Sequence, residues 1–237
     1  MEKYSFETFV VGSSNRIAYE AAKKVAQHPG KAINPLCIFG ETGMGATHLM
    51  RAIGHAVVKR NRDVKISFIT GEAFTTGFVD AIQRHRLAGF RKHYRDLDVL
   101  LLDGVQFFAG KESTQAEIII IFNKLLAAHK QIVLTSDLPA GDIPHVGQRL
   151  VSLSASGLVT ILSAPDRETR IAILREKRKM LKVKVSDAVL KHIAGHIHTN
   201  IRRLEGALIR AAAYSSLTGC KLTLANVDHL LRDSFTD

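Results

Sequence analysis

The stretch that decides the fold runs from residue 36 to residue 48 and reads LCIFGETGMGATH. Its four apolar residues, Leu36–Phe39, predict a short buried strand, and Pro35 suits the position just before a strand. A glycine-rich turn follows at once and leads into a helical pattern. Backbone N–H groups converge at such a strand–turn–helix junction, where the helix dipole is positive, so the stretch predicts a cradle for phosphate.

The turn also departs from the P-loop pattern, which has Lys and then Ser or Thr after its last glycine. Here Ala46 stands in the lysine position, and Thr47 follows it. Without the lysine, the turn fits either a phosphate cradle or a tight structural turn, and its residues alone leave both interpretations open. The candidate nucleotide-binding residues of this turn are Gly40, Gly43, Gly45, Ala46, Thr47 and His48.

The rest of the chain predicts an α/β fold. Four more strand candidates are Val64–Ile69, Asp98–Leu102, Gln131–Thr135 and Leu158–Leu162. Because long helical stretches separate these apolar, non-alternating runs, we expect a parallel sheet flanked by helices. Beyond residues 163–166 (SAPD) the pattern is helical. We therefore predict an α/β nucleotide-binding core over residues 1–164 and a small all-helical domain over residues 165–237.

Two acidic residues follow predicted strands. Asp103 ends the run Val99–Leu102, at the place where P-loop enzymes hold Mg²⁺, and Thr47 is the second candidate ligand. Gly104 comes next, so a second acid that would orient an attacking water is missing. Asp137 follows the strand Gln131–Thr135, and ligands of open α/β sheets bind at such strand ends. An ordinary acid at a strand end remains the alternative for each position.

Composition limits the function classes. The 33 Lys and Arg against 22 Asp and Glu leave a net charge of +11, which favours a polyanionic partner. No apolar run approaches the roughly 20 residues of a membrane span, and the start lacks a secretory signal, so we expect no membrane partner and a cytoplasmic location. Two cysteines are too few for a disulfide framework.

The basic charge is densest between residues 83 and 95, which read QRHRLAGFRKHYR. Such a segment neutralises phosphates in a sequence-tolerant way, and Phe90 and Tyr94 would offer faces on which bases stack. The alternative is a solvated helix face whose aromatic residues belong to the core. The candidate DNA-binding residues are Arg84, Arg86, Arg91, Lys92 and Arg95. A second basic cluster, at residues 175–184, is interpreted as a solvated face.

Several stretches together resemble the AAA+ module of DnaA, the family of bacterial chromosomal replication initiators. They cover nearly the whole chain, and the last of them, NIRRLEGALIR, is particularly specific. The matching stretches are Phe6–Gly12, Asn34–Gly40, Thr47–Met50, Phe90–Gln106, Gly110–Gln115, Lys130–Asp137, Glu168–Arg175 and Asn200–Arg210.

The resemblance implies an AAA+ P-loop NTPase fold with a helical lid, bound ATP or ADP with Mg²⁺, and assembly with itself or with an AAA+ partner. It implies that Arg202 senses the nucleotide phosphates from the lid and that Asp137 is the sensor on the fourth strand. It also places residues 83–95 in the insertion that contacts single-stranded DNA. No stretch resembles the family's helix-turn-helix or N-terminal domains, so either an excised module or a short paralogue is expected.

Three positions depart from the resembled pattern. The family has Lys at the position of Ala46, a second Asp at Gly104, and its arginine finger at Leu153. We therefore expect weakened or lost ATP hydrolysis in a module that still acts in replication initiation or its regulation. A functional ATPase that tolerates Ala46 is one alternative, and a regulator that docks on an active initiator is another.

Histidine spacing gives one further candidate. His192 and His196 lie four residues apart and so share one face of a predicted helix. A metal site needs more ligands, and no Cys or carboxylate stands at a suitable spacing, so the sequence favours no metal here.

Overall fold

The computed structural model describes residues 4–31, 33–198 and 200–235, and the side chains of residues 233–235 are outside the description. The sequence forms five strands and ten α-helices within these ranges. The strands are β1 (Leu36–Phe39), β2 (Ile66–Thr70), β3 (Val99–Asp103), β4 (Gln131–Ser136) and β5 (Leu158–Ile161). The helices are α1 (Arg16–Gln27), α2 (Ala46–Arg60), α3 (Gly71–Gln83), α4 (Leu87–Arg95), α5 (Glu112–Ala127), α6 (Gln148–Ala155), α7 (Arg167–Leu181), α8 (Asp187–His196), α9 (Ile201–Thr218) and α10 (Leu224–Phe235).

The strands form one parallel sheet in the order β2-β3-β4-β1-β5. The predicted parallel α/β sheet with flanking helices is therefore confirmed. The register sets Asp103 opposite Thr135 and Phe39 opposite Ser136, so β1, β3 and β4 end side by side at one edge of the sheet. Because parallel strands share a direction, the residues that follow each strand meet at that edge.

The described residues divide into two compact units. The sheet unit takes those of Met1–Phe9, Ile17–Glu41 and Gly45–Leu162, and the helical unit takes those of Val10–Arg16, Thr42–Met44 and Ser163–Asp237. Two short segments before residue 45 thus belong to the helical unit, so no single boundary in the sequence separates the two units. The predicted domain limits at 164 and 165 remain a proposal.

Each unit has its own apolar core. In the sheet unit, the aromatic side chains of Phe74, Phe108 and Phe122 are fully buried beside β3 and β4. In the helical unit, α7–α10 bury a separate set that includes Leu190 and Leu204. Burial of this apolar surface stabilises each unit and gives the strand ends a rigid support.

Helix α5 contains four consecutive isoleucines, residues 118–121. Ile118 and Ile121 are buried in the sheet-unit core, Ile119 packs against it, and Ile120 is 39% exposed. Three of the four side chains therefore contribute to packing, and Ile120 contributes little.

We expect Ile118→Ala to lower the free energy of unfolding by about 2–5 kcal/mol, because it leaves a cavity in a close-packed core. Ile120→Ala is the matched control in the same helix and should change it by less than about 0.5 kcal/mol. The midpoints of urea denaturation measure both effects. Equal losses for the two variants would contradict the assigned burial.

Candidate nucleotide site and basic surface

The turn between β1 and α2 has the backbone of an anion cradle. Gly43 and Gly45 adopt left-handed conformations with φ of 96° and 104°, which glycine accepts without strain. Gly45 is the N-cap of α2, and no described side chain caps that end. The first N–H groups of α2 therefore remain available to an anion at the positive end of the helix dipole.

Ala46 is the first residue of α2, and it leaves this cradle without the lysine ammonium. His48 is the nearest basic residue, but its imidazole is engaged elsewhere in the sheet unit. Its Nε2 lies 2.9 Å from the carbonyl oxygen of Ser5 and 3.3 Å from Thr8 Oγ1, and its ring meets the edge of Phe9. His48 thus anchors the N-terminal segment through its imidazole, and its assignment to the nucleotide remains a prediction.

Asp103 joins three segments at the ends of the strands. Thr47 Oγ1 donates to the carboxylate of Asp103, at 3.0 Å from Oδ2 and 3.2 Å from Oδ1. Thr135 Oγ1 donates to Asp103 Oδ1 at 2.5 Å, and it accepts a hydrogen bond from the Gly104 N–H at 3.1 Å. The hydroxyl of Thr47 and the carboxylate of Asp103 are the protein ligands that Mg²⁺ takes in P-loop NTPases, and their contact fits that ion.

Gly104 occupies the position of the missing second acid in a conformation that suits glycine. Its φ is 89°, and a Cβ atom built there would lie 2.6 Å from Cδ2 of Phe107. A carboxylate side chain at this position would therefore need a different backbone and a different place for Phe107. The local backbone and the position of Phe107 therefore favour glycine over an acidic residue at position 104.

A polar pair that the sequence did not predict lies beside Asp103. Gln106 Nε2 donates to Asp137 Oδ2 at 2.8 Å, while Gln106 Oε1 is buried and has no hydrogen-bond partner among the described residues. Asp137 itself is exposed, just beyond the end of β4. The only sequence signal for this pair was the placement of both residues directly after neighbouring strands.

Arg202 lies in the first turn of α9, in the helical unit, with an exposed side chain. Asn200 caps this helix, because its Oδ1 accepts the N–H of Arg202 at 2.8 Å. The Nδ2 of Asn200 also donates to the carbonyl oxygen of Thr42 at 3.1 Å, within the same unit. The cap fixes the backbone from which the Arg202 guanidinium projects.

Leu153, at the predicted arginine-finger position, belongs to α6 and packs against the core of the sheet unit. An apolar side chain in this place contributes to packing and carries no charge to a neighbouring site.

Two cations of the basic segment pair with carboxylates, Arg84 with the exposed Asp80 at 2.7 Å and Arg91 with Glu117. Arg91 donates two hydrogen bonds of 2.7 Å to the carboxylate of Glu117, whose side chain is only 3% exposed. This bidentate contact raises the pKa of Arg91. Arg91 therefore compensates a buried charge, and its assignment to DNA remains a prediction. The predicted cations other than Arg91, all exposed, are Arg84, Arg86, Lys92 and Arg95.

One of the two proposed stacking faces is wrong. Tyr94 is 4% exposed, and burial raises the pKa of its hydroxyl to about 12. Phe90 packs against Phe74, Phe78 and Tyr94 with ring centroids 4.9–5.9 Å apart. Tyr94 belongs to the core and Phe90 packs against it, because α4 is amphipathic, and a base would have to displace packed neighbours to reach the ring of Tyr94.

The second basic cluster is partly neutralised within the helical unit. Arg175 pairs with Asp187, and Lys177 pairs with Glu205 at 2.7 Å. Lys184 is exposed. Such pairing is typical of a solvated helix face.

The sheet, the glycine turn and the Thr47–Asp103 contact define the P-loop NTPase fold of the AAA+ class. Solved structures of the Thermotoga maritima RuvB Holliday junction motor have this fold, with a TM-score of 0.69 at 15% sequence identity over 97% of this chain and 72% of that chain. At this identity the likeness concerns the fold alone.

The chain belongs to the bacterial DnaA ATPase domain family, whose model matches residues 1–161. The crystal structure of domain III from the Thermotoga maritima replication initiation protein DnaA is similar over 100% of this chain and 99% of that chain, with a TM-score of 0.97 and 39% identity. A structure of the replication initiator DnaA bound to AMPPCP and single-stranded DNA covers 98% of this chain and 69% of that chain, with a TM-score of 0.85 and 33% identity.

The chromosomal replication initiator protein DnaA of Thermus thermophilus is 48% identical over 98% of this chain and 53% of that protein. The chain thus spans about half the length of the curated relatives that it matches. Among the described residues, no helix is both long enough and apolar enough to cross a membrane.

We expect Arg91→Gln to lower the free energy of unfolding by about 1–3 kcal/mol, because it leaves the buried Glu117 carboxylate without its donors. Lys92→Gln, the neighbouring exposed cation, is the matched control and should have little effect. Adding Glu117→Gln to Arg91→Gln should recover part of the loss, since the buried charge is then removed. Urea denaturation of the four chains tests this, and equal stability of the two single variants would refute it.

Proposed function

We propose that this chain is a DnaA-type AAA+ module of chromosomal replication initiation or its control, and that it retains a nucleotide pocket with little or no hydrolysis. The observation that carries the proposal is Ala46 at the first position of α2, above an intact Thr47–Asp103 contact. The backbone cradle and the Mg²⁺ ligands remain, while the cation that holds the phosphates is missing.

The expected cost follows from the lost contacts. A hydrogen bond to a charged group contributes about 1.5–3 kcal/mol, so Ala46 weakens the hold on the phosphates by roughly tenfold to 150-fold. An arginine finger accelerates turnover by about 10³–10⁵-fold, and Leu153 supplies none. Gly104 adds the loss of the acid that orients the attacking water. Hydrolysis near the uncatalysed rate follows, whereas binding of ATP or ADP with Mg²⁺ persists weakly.

The remaining candidate contacts to the nucleotide are the backbone of the glycine turn, two Mg²⁺ ligands and two proposed sensors. We assign the N–H groups at Gly43 and Gly45 to the phosphates, and Thr47 and Asp103 to Mg²⁺. Arg202 is the proposed phosphate sensor, and Asp137, held by Gln106, is the proposed sensor at the end of β4. A solved DnaA relative bound to AMPPCP supports a nucleotide as the ligand.

Single-stranded DNA is the proposed polyanionic partner. A DnaA structure that contains single-stranded DNA supports this choice, and so does the net charge of +11. The exposed cations around α4 are the proposed contacts, while Arg91 serves stability. Because Tyr94 is buried and Phe90 packs against the core, binding relies mainly on phosphate neutralisation and is strongly dependent on salt.

Assembly with copies of itself or with another AAA+ protein completes the proposal. The packed Leu153 favours one specific arrangement, in which this chain docks on an active initiator without supplying a finger. A working ATPase is the competing function, in which Mg²⁺ and the cradle compensate for Ala46. Measured ATP turnover distinguishes the working ATPase from the two functions without hydrolysis, which are the initiation module and the docking regulator.

We expect Ala46→Lys to tighten ATP binding by about tenfold to 150-fold, because it restores a charge-assisted contact to the phosphates. Ala46→Met is the matched control, since it adds a similar length of side chain without charge. Turnover should stay near the uncatalysed rate in Ala46→Lys, because Gly104 and Leu153 are unchanged. Calorimetric titration and phosphate release measure the two quantities, and unchanged affinity in Ala46→Lys would argue against a phosphate pocket.

We expect Arg86→Ala to weaken binding of single-stranded DNA and to reduce the slope of log affinity against log salt by about 0.7, the value for one lost phosphate contact. Lys184→Ala removes the same charge from the second basic cluster and should leave the slope unchanged. Fluorescence anisotropy at several salt concentrations tests the pair. Equal losses for the two variants would mean that only net charge matters.

A further inference from the structure

Helices α8 and α10 bring together three potential metal ligands that the sequence separates. His192 and His196 lie one turn apart on α8, with their ring centroids 4.5 Å apart. Asp228 projects from α10, and its Oδ1 lies 2.6 Å from Nε2 of His192. One potential ligand atom from each of the three residues lies within 4.8 Å of the other two. The missing carboxylate is therefore supplied by the fold.

His196 is oriented as a metal-binding histidine is. Its Nδ1 lies 2.9 Å from the carbonyl oxygen of His192, and a carbonyl oxygen can only accept a hydrogen bond. Nδ1 must therefore carry a proton, and Nε2 is the nitrogen through which this imidazole can bind a metal. A backbone contact that fixes the tautomer in this way is typical of histidines that bind metals.

The contact between His192 and Asp228 is one in which a metal ion can take the place of a proton. In the present geometry a proton lies between the imidazole and the carboxylate, and it joins α8 to α10 as an ion pair or hydrogen bond. A dication bound by both groups would join the same helices. Metal–ligand bonds of about 2.0–2.2 Å require the most distant ligand atoms to approach by roughly 1 Å, which side chains near the surface can do by small rotations.

We propose that His192, His196 and Asp228 bind a transition-metal dication, with Zn²⁺ as the best match. Two imidazoles and one carboxylate suit zinc, whereas Mg²⁺ and Ca²⁺ prefer oxygen ligands alone. Three protein ligands leave a fourth position for water. Because the ligands come from two helices, bound zinc stabilises the folded helical unit by mass action. This inference is independent of the nucleotide pocket.

The test is titration of the metal-free full chain with Zn²⁺ against a chromophoric chelator. We expect one bound zinc per chain and no displacement by excess Mg²⁺. His196→Gln removes one ligand and leaves the His192–Asp228 contact in place, while Asp228→Asn removes the anionic ligand. Each should weaken zinc binding by at least about tenfold, since even partners outside the ligand set cost tenfold to a hundredfold.

His229→Gln is the matched control, because His229 is exposed on α10 next to Asp228 and lies outside the cluster. It should bind zinc as the unaltered chain does. Thermal denaturation provides a second measurement: zinc should raise the melting temperature of the unaltered chain and of His229→Gln, but not of the two ligand variants. Absence of zinc binding, or equal binding by all four chains, would overturn the proposal and leave the contact as an interhelical ion pair.

Discussion

The carboxylate of Asp103 is the contact on which the nucleotide site depends. It receives the hydroxyls of Thr47 and Thr135 and so ties the start of α2 to the ends of β3 and β4. This meeting relies on the strand order β3-β4-β1, which sets the three strands next to one another so that their ends lie close together. These contacts thus follow from sheet topology, and they do not involve the lysine that P-loops carry.

The three residues proposed as departures from the family pattern are each accommodated by their surroundings. Ala46 is compatible with the first turn of a helix, Leu153 adds to the core of the sheet unit, and Gly104 adopts a backbone that a side chain would disturb. The local structure at all three positions is therefore compatible with a stably folded module. Because the three proposed departures differ in kind, we expect nucleotide affinity and ATP turnover to change independently. Of the three positions, we expect only position 46 to alter the nucleotide affinity.

Local sequence patterns were enough to predict the fold. Apolar runs bounded by turn residues specify strands such as β1. A helix such as α7 begins and ends where the helical periodicity of its apolar residues does. They were not enough for contacts between distant residues. The same amphipathic pattern fits Phe90 and Tyr94 either in the core or on a binding surface, and only packing decides between them. The pairing of Arg91 with Glu117 and the approach of Asp228 to His192 need a tertiary structure, because helices far apart in sequence supply the partners.

The central claim is that a pocket shaped for a triphosphate persists without its cationic clamps. Equilibrium titration of the unaltered chain with ATP, with and without Mg²⁺, tests it most directly when phosphate release is followed in the same samples. The account predicts binding weaker than micromolar that Mg²⁺ strengthens, with release no faster than in the absence of protein. Micromolar affinity together with sustained phosphate release would contradict it.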